Sequence, residues 1–201
     1  MLPGIYSPAF ILHLLFQRSF FRIIFVVFIY LFVYLSSDQL LPMNTIHDIA
    51  DYIILRVKSE DKYASLINLK LQKLLYYIQA WSYGIRKKPI FKGEFQAWIH
   101  GPVNREIYDR FNATKYLYSE IDLNDRLNPK VQLSQDDKEF IDFILDNYLK
   151  YSGAELERLS HSERPWIETR GDLDINMRCE KVISPSLMIE YYGKRWEELN
   201  A

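Results

Sequence analysis

Two runs of apolar residues spaced three and four apart constrain this chain more than any other feature. Ile46, Ile49, Ala50, Ile53, Ile54 and Val57 make the first, and Ile67, Leu71, Leu74, Leu75, Ile78 and Trp81 the second. That period puts each set on one face of an α-helix, and a helix so patterned must lay the face on a neighbour. Ser59-Glu60-Asp61-Lys62 interrupts the pattern between them, and Gly84 is expected to cap the second helix. The period then changes. Pro89 to Phe91 and Phe95 to His100 are short β-prone runs around Lys92-Gly93, which predicts a small hairpin. Gly101-Pro102 is expected to open the next helix, with Val103, Ile107 and Phe111 as its apolar line, because proline at a first helical position lacks only a donor that has no partner there anyway.

Residues 112–133 are polar and rich in turn formers, so they read as a surface loop with a short extended piece near Tyr116 to Ile121. Ser134 followed by Asp137, and Ser152 followed by Glu155, are helix-starting pairs. The first leads into Phe140, Ile141, Ile144, Leu145 and Tyr148, and the second into Leu156 and Leu159. Pro165 stops or redirects the chain, and Ser184-Pro185 starts a last helix through Met188, Tyr191 and Tyr192. The expected fold is mainly α (α+β): a compact helical domain with one small β-hairpin, spanning residues 43–201.

An apolar segment, residues 1–42, precedes it. Its only charges are Arg18, Arg22 and Asp38, and Ile23 to Leu35 is apolar without a break. Thirteen residues fall short of the roughly 20 that a spanning helix uses. No small-residue cleavage site follows, which argues against a signal peptide. Two readings stay open: a membrane anchor whose flanking charges, Arg18 and Arg22 against Arg56, Lys58 and Lys62, give contradictory orientation signals, or a translation start at Met43 with the preceding residues over-extended. Under the second reading the protein is expected in the cytoplasm, and a membrane is a partner only if residues 1–42 are translated.

The chemistry the residues permit is narrow. Over the whole chain 25 basic side chains face 26 acidic ones, so there is no electrostatic footprint for general nucleic-acid binding. The seven glycines are scattered, without the spacing that cradles a phosphate. His47, His100 and His161 stand apart and Cys179 is the single cysteine, which points to no metal, no cofactor and no disulfide. Cys179 reads as a small buried hydrophobe, and Asp136 and Asp137 as helix-start acids. Aromatic residues make up 15 % of the chain, a composition that suits protein contact as well as a core.

Three segments carry more information. In Asn68 to Trp81 (NLKLQKLLYYIQAW), Lys70, Lys73 and Tyr77 fall along one strip at the edge of the apolar stripe. Their expected state is half covered, with the stems on the core edge and either the polar ends reaching water or a carboxylate of another element, or the three residues bordering a partner-binding groove. Glu94 to Val103 (EFQAWIHGPV) runs from a strand into a helix start, which reads as a tight strand-to-helix corner or as a place that could receive an acidic group. In His161 to Trp166 (HSERPW), the histidine reads as one satisfied by a local hydrogen bond.

These blocks, LKLQKLLYYIQAW (69–81), EFQAWIHGPV (94–103) with Ile107-Tyr108, and LSHSERPW (159–166), resemble in order and spacing the Panacea domain, the SocA-like antitoxin family. The resemblance covers about residues 43–192. It implies a non-catalytic bacterial or phage antitoxin that neutralises a toxin encoded nearby by direct contact, with one branch of the family delivering its toxin to a cellular protease. Family motif positions carried over are Lys73, Leu74, Tyr76, Trp81, Ala97, Trp98, Gly101, Pro102, Val103, Tyr108, His161, Pro165 and Trp166. They match a fold signature and do not by themselves mark a toxin contact surface; the toxin-binding candidates are the strip residues Lys70, Lys73 and Tyr77. The alternatives are a DNA-contacting transcriptional or phage-associated regulator, and a hydrolase using His161 with Cys179 or a carboxylate.

Overall fold

The computed structural model describes residues 43–60 and 64–201. The apolar leader, with its choice between anchor and over-extended start, lies outside the described residues. Among those described, no helix is long and apolar enough to cross a membrane.

Seven helices and two small strand pairs make up this part. Strand β1 (Asn44–Thr45) leads into helix α1 (Ile46–Glu60). The turn is held by Thr45 Oγ1 accepting from Asp48 N–H while Asp48 accepts from Thr45 N–H, so two donors at a helix start are satisfied reciprocally. Helix α2 (Asn68–Arg86) follows, then β2 (Phe91–Lys92), β3 (Gln96–Trp98), β4 (Gly101–Val103) and α3 (Arg105–Phe111). A long loop with one 3-10 turn (Leu123–Asp125) leads to α4 (Gln135–Tyr148), α5 (Gly153–His161), α6 (Arg164–Arg170) and α7 (Pro185–Leu199).

Helix α2 is the axis of the domain. The expectation was one buried stripe, but 16 of its 19 residues are buried, because other elements surround it. A helix covered all round must dispose of its polar side chains. Several of them find a neighbour's backbone. Gln72 donates to Asn104 C=O and accepts from Asn104 N–H. Gln79 does the same with Phe91 C=O and Ile90 N–H, and Ser82 donates to Lys88 C=O. The polar positions therefore clamp strands and loops that otherwise lack enough pairing of their own.

Several local expectations hold. Ser134 accepts from Asp137 N–H, and Ser152 with Glu155 forms a complete capping box. Phe140, Ile141, Ile144, Leu145 and Tyr148 all face the core. Pro165 lies in the first turn of α6, so the chain is redirected there, and Pro185 begins α7. Cys179 is buried and unpaired.

Three expectations are corrected. Gly84 is inside α2, which runs on to Arg86 and ends at Lys87 in the left-handed region. A Cβ on Gly84 would sit 2.6 Å from the Tyr192 Cβ, so this glycine permits the close crossing of α2 and α7. The hairpin pairs differently. β2 joins β1 in parallel, while β3 pairs antiparallel with β4 through Gln96 to Val103, Ala97 to Pro102 and Trp98 to Gly101. Gly101 and Pro102 are thus strand residues, and α3 begins at Arg105 under an Asn104 cap whose side chain accepts from Ile107 N–H. Proline is tolerated because its missing N–H is not needed by Ala97 opposite: the Ala97 C=O accepts from Arg170, and the Ala97 N–H donates outward to Lys181 C=O.

Candidate functional site

The three blocks that stand out in the sequence meet around the β3–β4 hairpin. Lys73, from α2, donates to Pro102 C=O at 3.1 Å and is fully buried. Gly101 makes room for it at φ +88°, where a Cβ would lie 2.8 Å from both Lys73 Cε and Ser160 Oγ. From the other side, Trp166 Nε1 donates to Trp98 C=O at 3.0 Å, and Arg170 donates to Ala97 C=O at 2.9 Å. The hairpin is only two short strands, and these contacts from α2 and α6 supply the acceptor satisfaction that further strands would otherwise give.

Burial has an electrostatic consequence at Lys73. Removal from water disfavours the ammonium and lowers its pKa from 10.5 to about 7, although the negative charge of Glu157 opposes the shift. His161 is also pushed down, first by burial. Its ring stacks on Trp166 at 4.0 Å between centroids, and its buried Nε2 has no hydrogen-bond partner. The expected local hydrogen bond is replaced at that atom by a packing contact.

A second cluster of buried polar groups lies where α2 meets α7. Glu163 is held by the Tyr192 hydroxyl at 2.6 Å and by Arg195 at 3.0 Å. Burial nonetheless raises its pKa against both of those partners. Tyr76, Tyr77 and Trp81 surround Tyr192, with the Trp81 ring 5.0 Å away.

The expected strip of Lys70, Lys73 and Tyr77 is divided among three neighbours. Lys70 donates to Leu149 C=O at the end of α4, Lys73 holds the hairpin, and Tyr77 stacks on Tyr148 at 4.2 Å. Lys73 and Tyr77 are 0 % exposed and Lys70 is 8 % exposed, which corrects the half-covered expectation. A partner would have to open the domain to touch Lys73 or Tyr77. Leu74, Tyr76, Ala97, Gly101, Pro102, Val103, Pro165 and Trp166 are likewise buried.

Trp98 and Tyr108 are the motif aromatics that reach the surface. Their rings meet edge to face at 4.9 Å, and the Arg105 guanidinium lies 5.5 Å from each ring centroid. Together they form one wall of a cleft of about 620 Å³, which Asn68, Gln72, Ile99, His100, Val103, Lys115, Tyr116, Leu117, Arg178 and Cys179 also line. Its ionisable lining groups are His100, Arg105, Lys115, Arg178, Tyr108, Tyr116 and Cys179, with no carboxylate. Their carboxylate partners stand off the lining: Glu157 for His100, Asp109 and Glu180 for Arg105, Asp125 for Lys115, and Glu180 for Arg178. Sequence reasoning missed Asn68, Arg105, Lys115 and Arg178 as site residues. The cleft gathers them from three distant stretches, so no local spacing marks them. Among the described residues, no group of His, Cys, Asp and Glu could hold a metal ion.

Comparison with known proteins adds an independent finding. Residues 71–167 match the family model described as "Antitoxin SocA-like, Panacea domain". The chain is 33 % identical over 129 residues to a protein named Antitoxin SocA from Caulobacter vibrioides (strain NA1000 / CB15N), a match covering 58 % of this chain and 69 % of that relative. No solved structure matches.

Proposed function

The chain belongs to the SocA-like antitoxin family defined by the Panacea domain, and on that premise we propose that it is the antitoxin of a toxin–antitoxin pair. It neutralises a toxin encoded next to it by direct contact in the cytoplasm, and it acts by binding and not by catalysis. The observation that carries this reading is the likeness to a named antitoxin over more than half the chain. The structure is compatible in a specific way: the buried motif residues are spent on backbone clamps and packing, while the motif residues Trp98 and Tyr108, with Arg105 and their neighbours, form an aromatic, cationic surface of the sort that protein interfaces favour. Delivery of the toxin to a protease is a further expectation of the family resemblance.

The test is co-expression. The full chain, produced with the product of each adjacent open reading frame, should restore growth against one of them, and the two proteins should co-purify. Failure with every neighbour, under conditions in which the chain is present and folded, would overturn the reading.

A further inference from the structure

We propose that the cleft beside the β3–β4 hairpin is where the toxin docks, and that a carboxylate-bearing peptide segment of the toxin enters it. The proposal rests on the antitoxin reading and adds the site and its chemistry.

Charge is the first support. Cations contribute to the lining and carboxylates do not. The Arg178–Glu180 pair and the contacts of Arg105 with Asp109 and Glu180 are exposed ion pairs, which contribute little to stability, so an incoming carboxylate can replace the resident one at small cost. Arg105 is already positioned, because it lies over both the Trp98 and Tyr108 rings. An arginine held by aromatic faces loses little further freedom on binding.

An unmet acceptor is the second support. Asn68 lines the cleft at 6 % exposure, and its Oδ1 is buried without a hydrogen-bond partner. A buried acceptor left unsatisfied is costly, and a peptide N–H is the donor that a docked segment carries at every non-proline residue. Carboxylate for Arg105 and Arg178 together with N–H for Asn68 describes an acidic peptide. A nucleic acid fits less well: residues 43–201 carry 23 basic and 25 acidic side chains, so the domain has no excess of cations to track a continuous polyanion.

The test uses the full chain co-expressed with the adjacent gene product that it neutralises. Arg105→Glu with Arg178→Glu should abolish growth rescue and weaken binding about tenfold or more, with an unchanged thermal midpoint because both side chains are exposed. Lys150→Glu, beside a separate groove lined by Trp81, Phe143 and Trp196, should leave rescue intact. Rescue and affinity retained in the double variant, or lost in Lys150→Glu instead, overturn this docking site while the antitoxin reading stands. No rescue by the parent chain with any neighbour removes the antitoxin reading and this proposal with it. A promoter duplex whose binding is lost in the double variant, with toxin affinity untouched, assigns the cleft to nucleic acid and also overturns the proposal.

Discussion

Replacing Lys73 with Met should make the domain more stable at low pH and remove a pH dependence that the parent shows. The amine is completely buried, and its pKa falls from 10.5 in the unfolded chain to about 7 in the folded one. Between those values the unfolded state binds a proton that the native state has released, so stability rises with pH by about 1.4 kcal/mol per unit. Below pH 7 both states are protonated, and the folded domain carries the full burden of the buried ammonium, about 5 kcal/mol. Met has similar length and no charge. Its substitution also loses the hydrogen bond to Pro102 C=O, and leaving that carbonyl unmet costs about 1–3 kcal/mol. The variant should therefore exceed the parent by about 2–4 kcal/mol at pH 6. From pH 7 to 9.5 the advantage should shrink by about 3 kcal/mol, as the parent recovers. Urea denaturation of parent and variant across pH 6 to 9.5 measures the difference directly. The buried tyrosines Tyr76 and Tyr192 are shifted upward by burial in both proteins, whereas His161 is pushed down first by burial and in part by the Lys73 charge, so its downward shift eases in the variant. Glu157→Gln gives a second check: without its opposing charge the parent's rise should begin at lower pH. A parent-to-variant difference that stays constant from pH 6 to 9.5 would show that Lys73 keeps its charge and its solvent, and the reasoning would fail.

Two further outcomes follow from the packing. Gly84→Ala should destabilise by about 1–3 kcal/mol despite the better helix propensity of alanine, because the new methyl group meets Tyr192 at 2.6 Å; a rise in the urea midpoint would refute the close crossing. Trp166→Ala should cost about 3–5 kcal/mol, since the indole is buried and bonded to the hairpin, whereas Trp98→Ala, only partly buried at the cleft, should cost clearly less. Equal losses in thermal melts of the two variants would place Trp98 in the core and not at the surface.

The parts legible in the sequence are those decided within a few residues. Ser134 with Asp137 and Ser152 with Glu155 start helices because a side-chain oxygen and an amide three residues on satisfy each other wherever the segment lies. The runs from Ile46 and from Ile67 are helical because their period is. What surrounds α2 is a different matter. The sequence shows lysine, glutamine and tyrosine beside an apolar stripe, and the usual place for such groups is the rim of the core. Only the tertiary structure brings Pro102, Asn104, Phe91 and Leu149 carbonyls to those positions, and with them present Lys73, Gln72, Gln79 and Lys70 can be buried. The same holds for the hairpin. Lys92-Gly93 has turn residues, yet the pairing falls at Ile99-His100, where Trp166, Arg170 and Lys73 hold the two strands from outside. The cleft is non-local altogether, because Asn68, Arg105 and Arg178 acquire a common neighbourhood only when α2, α3 and the loop before α7 have packed. Local hydrogen bonding and periodicity are written along the chain, whereas the burial of a polar group depends on which distant backbone atom arrives to meet it.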